Sequence, residues 1–139
     1  MSAPDREAYA GPLPAPGGPN APFWEAARRG ELRLQRCSDC GAHRFPAGRW
    51  CPQCRGERTE WARASGRGTV ESFCVFHKPY FPGLRTPYNV AVVRLEEGAK
   101  LFSNVVGVPN GRIEVGMAVE AVFDAVTPEV TLVRFRPAG

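Results

Sequence analysis

Cys37-Ser38-Asp39-Cys40 and Cys51-Pro52-Gln53-Cys54 lie ten residues apart, and the reading of this stretch decides the fold. Each Cys-x-x-Cys sits on a turn and is followed by a glycine, Gly41 or Gly56. Such a knuckle bends the backbone so that two thiolates face one centre. Two knuckles together supply four sulfurs in a tetrahedron, the arrangement zinc accepts without strain. The segment from Arg36 to about Glu60 is rich in Cys, Gly and Arg and poor in core-forming residues, so metal binding must replace a core there. Structural zinc supplies about 10–16 kcal/mol at neutral pH. With all four positions filled by Cys37, Cys40, Cys51 and Cys54, no position stays open for water or substrate, and the expected zinc ion (one Zn2+) is structural. Two alternatives share the pattern: a pair of disulfides, and iron in the same cage as in an electron carrier. His43 reads as an exposed knuckle residue.

Downstream of Gly68 the texture changes to short strands with turn signals, near 68–78, 88–95, 100–107, 117–126 and 130–136. Glu96-Glu97-Gly98-Ala99 reads as a hairpin between the second and third, and 79–87 as a loop with three prolines. Five strands with an excursion after the third suit a small closed barrel. Alternation puts Val70, Cys74 and Phe76 on the core face of the first strand and Val119, Ala121 and Phe123 on that of the fourth. Cys74 then reads as a small buried hydrophobe, with His77 directed to the opposite face.

Upstream, residues 1–22 hold six prolines and three glycines without an apolar face, which predicts a segment disordered or draped over a partner. A short helix follows over Phe23–Arg29, with Asn20 as cap and Gly30 as stop. Phe23, Ala26 and Ala27 share its apolar side, and Glu31–Arg36 alternates as a strand. The expected organisation is therefore 1–22 as the N-terminal segment, 23–36 as helix and strand, 37–62 as the ribbon and 63–139 as the barrel.

The 139 residues, 43% hydrophobic and 23% charged, suit one ordinary globular domain or two very small ones. No run approaches the about 20 apolar residues of a membrane span. The N-terminus lacks a basic-then-apolar leader, so the expected location is the cytoplasm. The net charge of +4 is uneven: residues 1–27 carry −2, 28–67 carry +6 and 68–139 are neutral. An anionic partner would be drawn to the middle segment.

Motifs for chemistry are missing from the sequence. It has no Gly-rich phosphate loop, no GxSxG elbow and no HExxH. The barrel-half acids are scattered over strand surfaces and turns. No catalytic residue is assigned.

A further set of residues carries a family resemblance: Phe23-Trp24-Glu25, Gly30-Glu31-Leu32-Arg33-Leu34-Gln35-Arg36-Cys37, Arg44-Phe45-Pro46, Cys51-Pro52-Gln53-Cys54, Gly66-Arg67-Gly68-Thr69-Val70, Pro87-Tyr88 and Arg134-Phe135-Arg136-Pro137. Over about residues 22–137 the chain resembles the zinc-ribbon plus OB-fold family of acyl-CoA-associated proteins, a former domain-of-unknown-function family. The resemblance implies a mostly β fold: an N-terminal helix, a rubredoxin-like zinc ribbon and a five-stranded OB-fold barrel. It also implies a non-catalytic accessory subunit bound to a thiolase-like enzyme, a sterol-carrier-type thiolase or aldolase, or a hot-dog enoyl-CoA hydratase, and helping to hold acyl-CoA. The four cysteines carry over as metal ligands.

Candidate contacts to such a ligand follow from residue chemistry. Arg33, Arg44, Arg49 and Arg67, with Arg28 and Arg29, are suited to coenzyme A phosphates. Trp24 is suited to stacking, while Phe23 reads as packing. Phe76, Tyr80 and Phe81, beside Val75, form an apolar patch for an acyl chain or a protein surface. The alternative function is a single-stranded nucleic-acid-binding ribbon and barrel. The neutral barrel half and the lack of interleaved bases and aromatics among Tyr88, Arg94, Lys100 and Phe102 weigh against it.

Overall fold

The computed structural model describes residues 11–138. The N-terminal segment predicted over 1–22 therefore falls partly outside the described residues. Its described part makes a 3-10 turn at Gly18–Asn20 and enters the helix α1 at Ala21–Arg28, two residues before the predicted start. Phe23, Ala26 and Ala27 are buried, as their spacing predicts. Gly30 takes φ +77°, where its N–H reaches the Ala27 carbonyl at 3.0 Å and the Glu31 N–H reaches Ala26 at 2.9 Å. This paired closure requires a left-handed residue, which glycine adopts without steric cost. The Asn20 side chain does not cap the helix. Its Oδ1 instead accepts from the Ala47 N–H at 2.8 Å, tying the helix entry to the ribbon 27 residues away.

A three-stranded antiparallel sheet follows, with β1 (Arg33–Cys37) between β2 (His43–Arg44) and β3 (Thr59–Arg63). The alternation of 31–36 predicts β1. β3 has no counterpart in the sequence reading: Thr-Glu-Trp-Ala-Arg gives one bulky apolar residue in five, and the strand exists because β1 supplies a partner along its whole length.

The second sheet holds β4 (Arg67–Phe76), β5 (Tyr88–Leu95), β6 (Lys100–Ser103), β7 (Ala118–Ala125) and β8 (Thr131–Pro137), in the order β6-β5-β4-β7-β8. The sheet curls until a parallel bridge from Val105 to Phe135 joins its two ends, giving the partly open barrel of an OB fold. Expected strand and observed strand coincide for β5. β6 stops four residues early, because Asn104-Val105-Val106 turn away to make that bridge. Buried Asn89 holds the crossing segment, donating from Nδ2 to the Val105 carbonyl at 2.9 Å and accepting the Val105 N–H at 2.7 Å. A buried amide with every group paired fixes geometry at little cost.

One expectation for β4 fails. Its pairing with β5 shifts register between Val70 and Ser72, and a bulge moves every later side chain to the other face. Phe73 thus packs toward the core while Cys74 is exposed, and Phe76 leaves the interior to stack on Tyr88. On β7, Val119, Ala121 and Phe123 do face the core.

One apolar cluster runs through both sheets. Phe23, Leu32 and Leu34 meet Val70, Val93, Leu95, Val119 and Phe135. Helix, ribbon base and barrel are therefore cemented by a common core. No helix among the described residues is long and apolar enough to cross a membrane.

Candidate metal centre and ligand surface

Each knuckle is closed by the same local bond. The Gly41 N–H donates to the Cys37 carbonyl at 2.9 Å and the Arg55 N–H to the Cys51 carbonyl at 2.7 Å. Both closing residues are left-handed, Gly41 at φ +82° and Arg55 at φ +66°. The second knuckle thus places a side chain where glycine is the unstrained choice.

The four sulfurs converge. Cys37 Sγ lies 3.6 Å from Cys54 Sγ, and Cys40 Sγ 3.6 Å from Cys51 Sγ, with all four within 4.8 Å of one another. A disulfide requires about 2.05 Å, so these are free thiols and the disulfide alternative falls. A tetrahedron with metal–sulfur bonds of about 2.3 Å has sulfur–sulfur edges of about 3.8 Å. The donor set therefore fits one zinc ion. Cys37 and Cys51 are buried, Cys40 and Cys54 exposed. Among the described residues no other group of His, Cys, Asp and Glu side chains gathers in this way.

Electrostatics support a cation at the centre. The Cys54 backbone N–H, helped by that of Gln53, brings the Cys51 thiol down to about 6. The Gly56 N–H favours the Cys54 thiolate too, but the crowding of Cys37, Cys40 and Cys51 and partial burial outweigh it and push Cys54 up to about 12. One thiolate forms readily and then opposes the next. Four thiolates persist together only around a multivalent cation.

The arginines of the basic segment are largely engaged. Arg33 pairs with Glu31 at 3.0 Å, Arg36 with Glu60 at 2.8 Å and Arg49 with Glu57 at 3.4 Å. Arg58 pairs with Asp39 and Arg67 with Glu96. Arg44 donates to the Gly48 carbonyl at 2.9 Å, and its remaining guanidinium nitrogens Nε and Nη1 are buried without a partner. Trp24 is half-buried, edge-on to Phe23 at 4.9 Å, and Phe23 packs on Phe45 at 4.4 Å. His43 is half-buried on β2, outside the sulfur cluster.

Phe76, Tyr80 and Phe81 come together at the far end of the barrel. With Leu84, Tyr88 and Leu132 they line a groove of about 450 Å³. Phe76 stacks on Tyr88 with the rings 3° from parallel and 5.0 Å apart, and Tyr80 meets Phe76 edge-on at 5.2 Å. Tyr80 is 74% exposed. The ten-residue strand β4 runs from Arg67 to Phe76, about 30 Å at the rise of an extended chain. The candidate residues therefore form two separate surfaces, cationic at the ribbon end and aromatic at the other. Sequence reasoning missed Arg134, Asn104 and Leu132 of the groove, since only the crossing after β6 and strand β8 bring them there.

Comparison with known proteins agrees with this architecture. Two family models match in tandem: the ChsH2 rubredoxin-like zinc ribbon domain over residues 24–60 and the ChsH2 C-terminal OB-fold domain over residues 61–124. A probable enoyl-CoA hydratase alpha subunit of Thermomonospora curvata is 42% identical over 127 residues, 91% of this chain. The present chain spans only 40% of that relative's length. A DUF35 domain-containing scaffold protein of Methanothermobacter thermautotrophicus is 38% identical over 105 residues, covering 73% of this chain and 78% of the relative. A chain of the solved Ltp2-ChsH2(DUF35) aldolase is 41% identical with a TM-score of 0.82, covering 91% of this chain and all of that one.

Proposed function

Because this chain belongs to the ChsH2 family of joined zinc ribbons and OB folds, we propose that it is a non-catalytic accessory subunit of an acyl-CoA-processing enzyme. A thiolase- or aldolase-type partner is the first choice and a hydratase the second. Among the described residues the one group of three or more His, Cys, Asp or Glu side chains placed to share a metal ion is the four-sulfur site, which leaves no open position for substrate. The observation that carries the reading is the pairing of this closed centre with an exposed aromatic groove at the opposite end of the barrel. The first shapes the module and the second offers it a surface.

In this reading the groove, with Phe76, Tyr80 and Phe81, receives the acyl portion of the thioester. Coenzyme A phosphates meet the ribbon-end guanidinium groups, of which Arg33, Arg49 and Arg67 must share themselves with Glu31, Glu57 and Glu96. Arg44 contributes little, since its free nitrogens are buried. The subunit works in the cytoplasm, where its thiols stay reduced.

The nucleic-acid alternative loses support. Arg94 and Lys100, the bases on the face of β5 and β6, are both bound to Glu71, Lys100 at 2.7 Å. The test is affinity purification of the full chain from its host, with identification of the accompanying polypeptide. A thiolase, aldolase or hydratase chain in fixed ratio supports the proposal. Recovery of RNA or single-stranded DNA without such an enzyme overturns it.

A further inference from the structure

The aromatic groove lies within reach of the chain's own N-terminal segment. Pro12 stands on its wall, with Tyr80, Phe81 and Leu84. Tyr80 and Phe81 are both exposed, so each keeps ring surface open to a further contact. Proline-rich segments dock on aromatic-lined grooves of this kind as polyproline-II helices.

Residues 11–16 read Gly-Pro-Leu-Pro-Ala-Pro. Each proline fixes its own φ near −65° and pushes the residue before it to an extended conformation. Every residue of this run is therefore biased to the polyproline-II form, which needs no hydrogen-bond partner along its backbone. The segment from Pro12 to Gly17 accordingly belongs to no helix or strand. Such an arm is already stiff, so docking it costs little chain entropy.

The arm has a pivot and an anchor. Gly17 and Gly18 join it to the 3-10 turn, with Gly18 at φ +75°. A Cβ at either glycine would meet nothing within 4 Å among the described residues, so the chain can swing there without disturbing its neighbours. Just beyond, the Asn20 Oδ1 bond to the Ala47 N–H fixes the turn to the ribbon. Helix α1 then packs on β7 and β8, and Leu132 and Arg134 of β8 line the groove. From Gly18 back to Pro12 is six residues of chain, about 19 Å at the polyproline-II rise.

We infer that residues 11–16 form a stiff arm, pivoting at Gly17 and Gly18, that occupies the aromatic groove of the free chain, and that any guest enters the groove only by displacing it. A tethered occupant of this kind lowers a guest's apparent affinity by the fraction of time the groove stands open. The inference rests on the groove being a binding surface, as proposed above, and concerns its regulation rather than the identity of its guest.

The experiment follows the zinc-loaded full chain by NMR, with isotope labels at backbone amides and leucine methyl groups. The wild-type chain should show proton contacts from Pro12 to the rings of Tyr80 and Phe81, and restricted motion at the Leu13 and Ala15 amides. Tyr80→Ala, at an exposed position, should release the arm and make those two amides mobile. The double variant Pro12→Gly/Pro14→Gly, which removes ring contact and stiffness together, should do the same. The dye 8-anilinonaphthalene-1-sulfonate, followed through the Leu84 and Leu132 methyl shifts, should bind the double variant about tenfold tighter than wild type, the ratio for an arm seated roughly nine-tenths of the time. Mobile Leu13 and Ala15 amides in the wild-type chain overturn the inference, as does Tyr80→Ala leaving them restrained. So does a dye affinity that the double variant fails to raise, or Pro12 contacts found only between differently labelled copies in a mixed sample. Decanoyl-CoA separates this outcome from that of the acyl reading. Equal affinity for wild type and double variant, read at Leu84 and Leu132, leaves the acyl contact standing and refutes the arm. No shift in either protein, while the dye prefers the double variant, refutes the acyl contact and supports the arm.

Discussion

Replacing Cys51 by serine should open the knuckles without dissolving the barrel. Cys51 is 1% exposed and is the one residue of the apolar core between 38 and 63. Nothing else in that stretch replaces what the metal supplies, about 10–16 kcal/mol for four thiolates on structural zinc. A serine hydroxyl stays protonated near neutrality and cannot take the place of a thiol that ionises at about 6. The base of the ribbon has other support, because Leu32 and Leu34 are buried with Phe23 against the barrel core. Leucine burial there contributes about 1.5–3 kcal/mol per side chain. The loss should therefore be local. The assay is zinc content per chain together with hydrogen exchange. Zinc should fall well below one equivalent, and the amides of Gly41, Cys51 and Arg55, each bonded within a knuckle, should lose protection. The amides of β4 and β5 should keep theirs. A Cys51→Ser protein that retains one zinc and protected knuckle amides would refute the reasoning.

Four further outcomes are expected. Phe135→Ala, at a fully buried ring beside the barrel-closing bridge, should cost about 3–5 kcal/mol in urea unfolding. Gly68→Ala would place a Cβ 2.5 Å from the Arg94 carbonyl oxygen and 2.9 Å from Val93, costing about 1–3 kcal/mol in the same measurement. Arg55→Gly relieves a left-handed side chain at φ +66° and should stabilise the metal-loaded protein by about 1 kcal/mol, read as a higher midpoint. Finally, the Lys100 and Arg94 side chains hold the Glu71 carboxyl below its usual range, as Arg33 does Glu31 and Arg67 does Glu96. A carboxyl lowered on folding stabilises the protein above the ordinary carboxylate range. That stabilisation fades as pH falls through the folded values, so stability should drop below about pH 4.5. Glu71→Gln should show a shallower acid loss in a pH series of unfolding midpoints, and an identical slope would count against the ion-pair account.

What the sequence made legible was local. Two Cys-x-x-Cys turns converge because each knuckle is built from five neighbouring residues. Strand β5 was readable to the residue because its apolar run is bounded by Pro87 and the Gly98 hairpin, where the Leu95 N–H meets the Ala99 carbonyl at 2.8 Å. What escaped was set at a distance. The bulge after Val70 has no composition signal, yet it reverses Cys74 and Phe76. Asn20 looked like a helix cap, but a backbone amide at position 47 competes for its side chain. The arginines read as a basic surface until the fold brought Glu31, Glu57, Glu60, Asp39 and Glu96 beside them. Strand β3 and the Arg134 end of the groove depend on partners 26 and 30 residues away, Gln35–Trp61 and Asn104–Arg134 among them.

The central claim is that this chain shapes and docks but does not turn over substrate. The most direct measurement assays acyl-CoA cleavage, condensation and hydration with the zinc-loaded chain alone and with the chain recombined with its enzyme partner. The account predicts no turnover by the isolated chain and activity once the partner is added. Steady conversion by the chain alone, lost on removing its zinc, would contradict it.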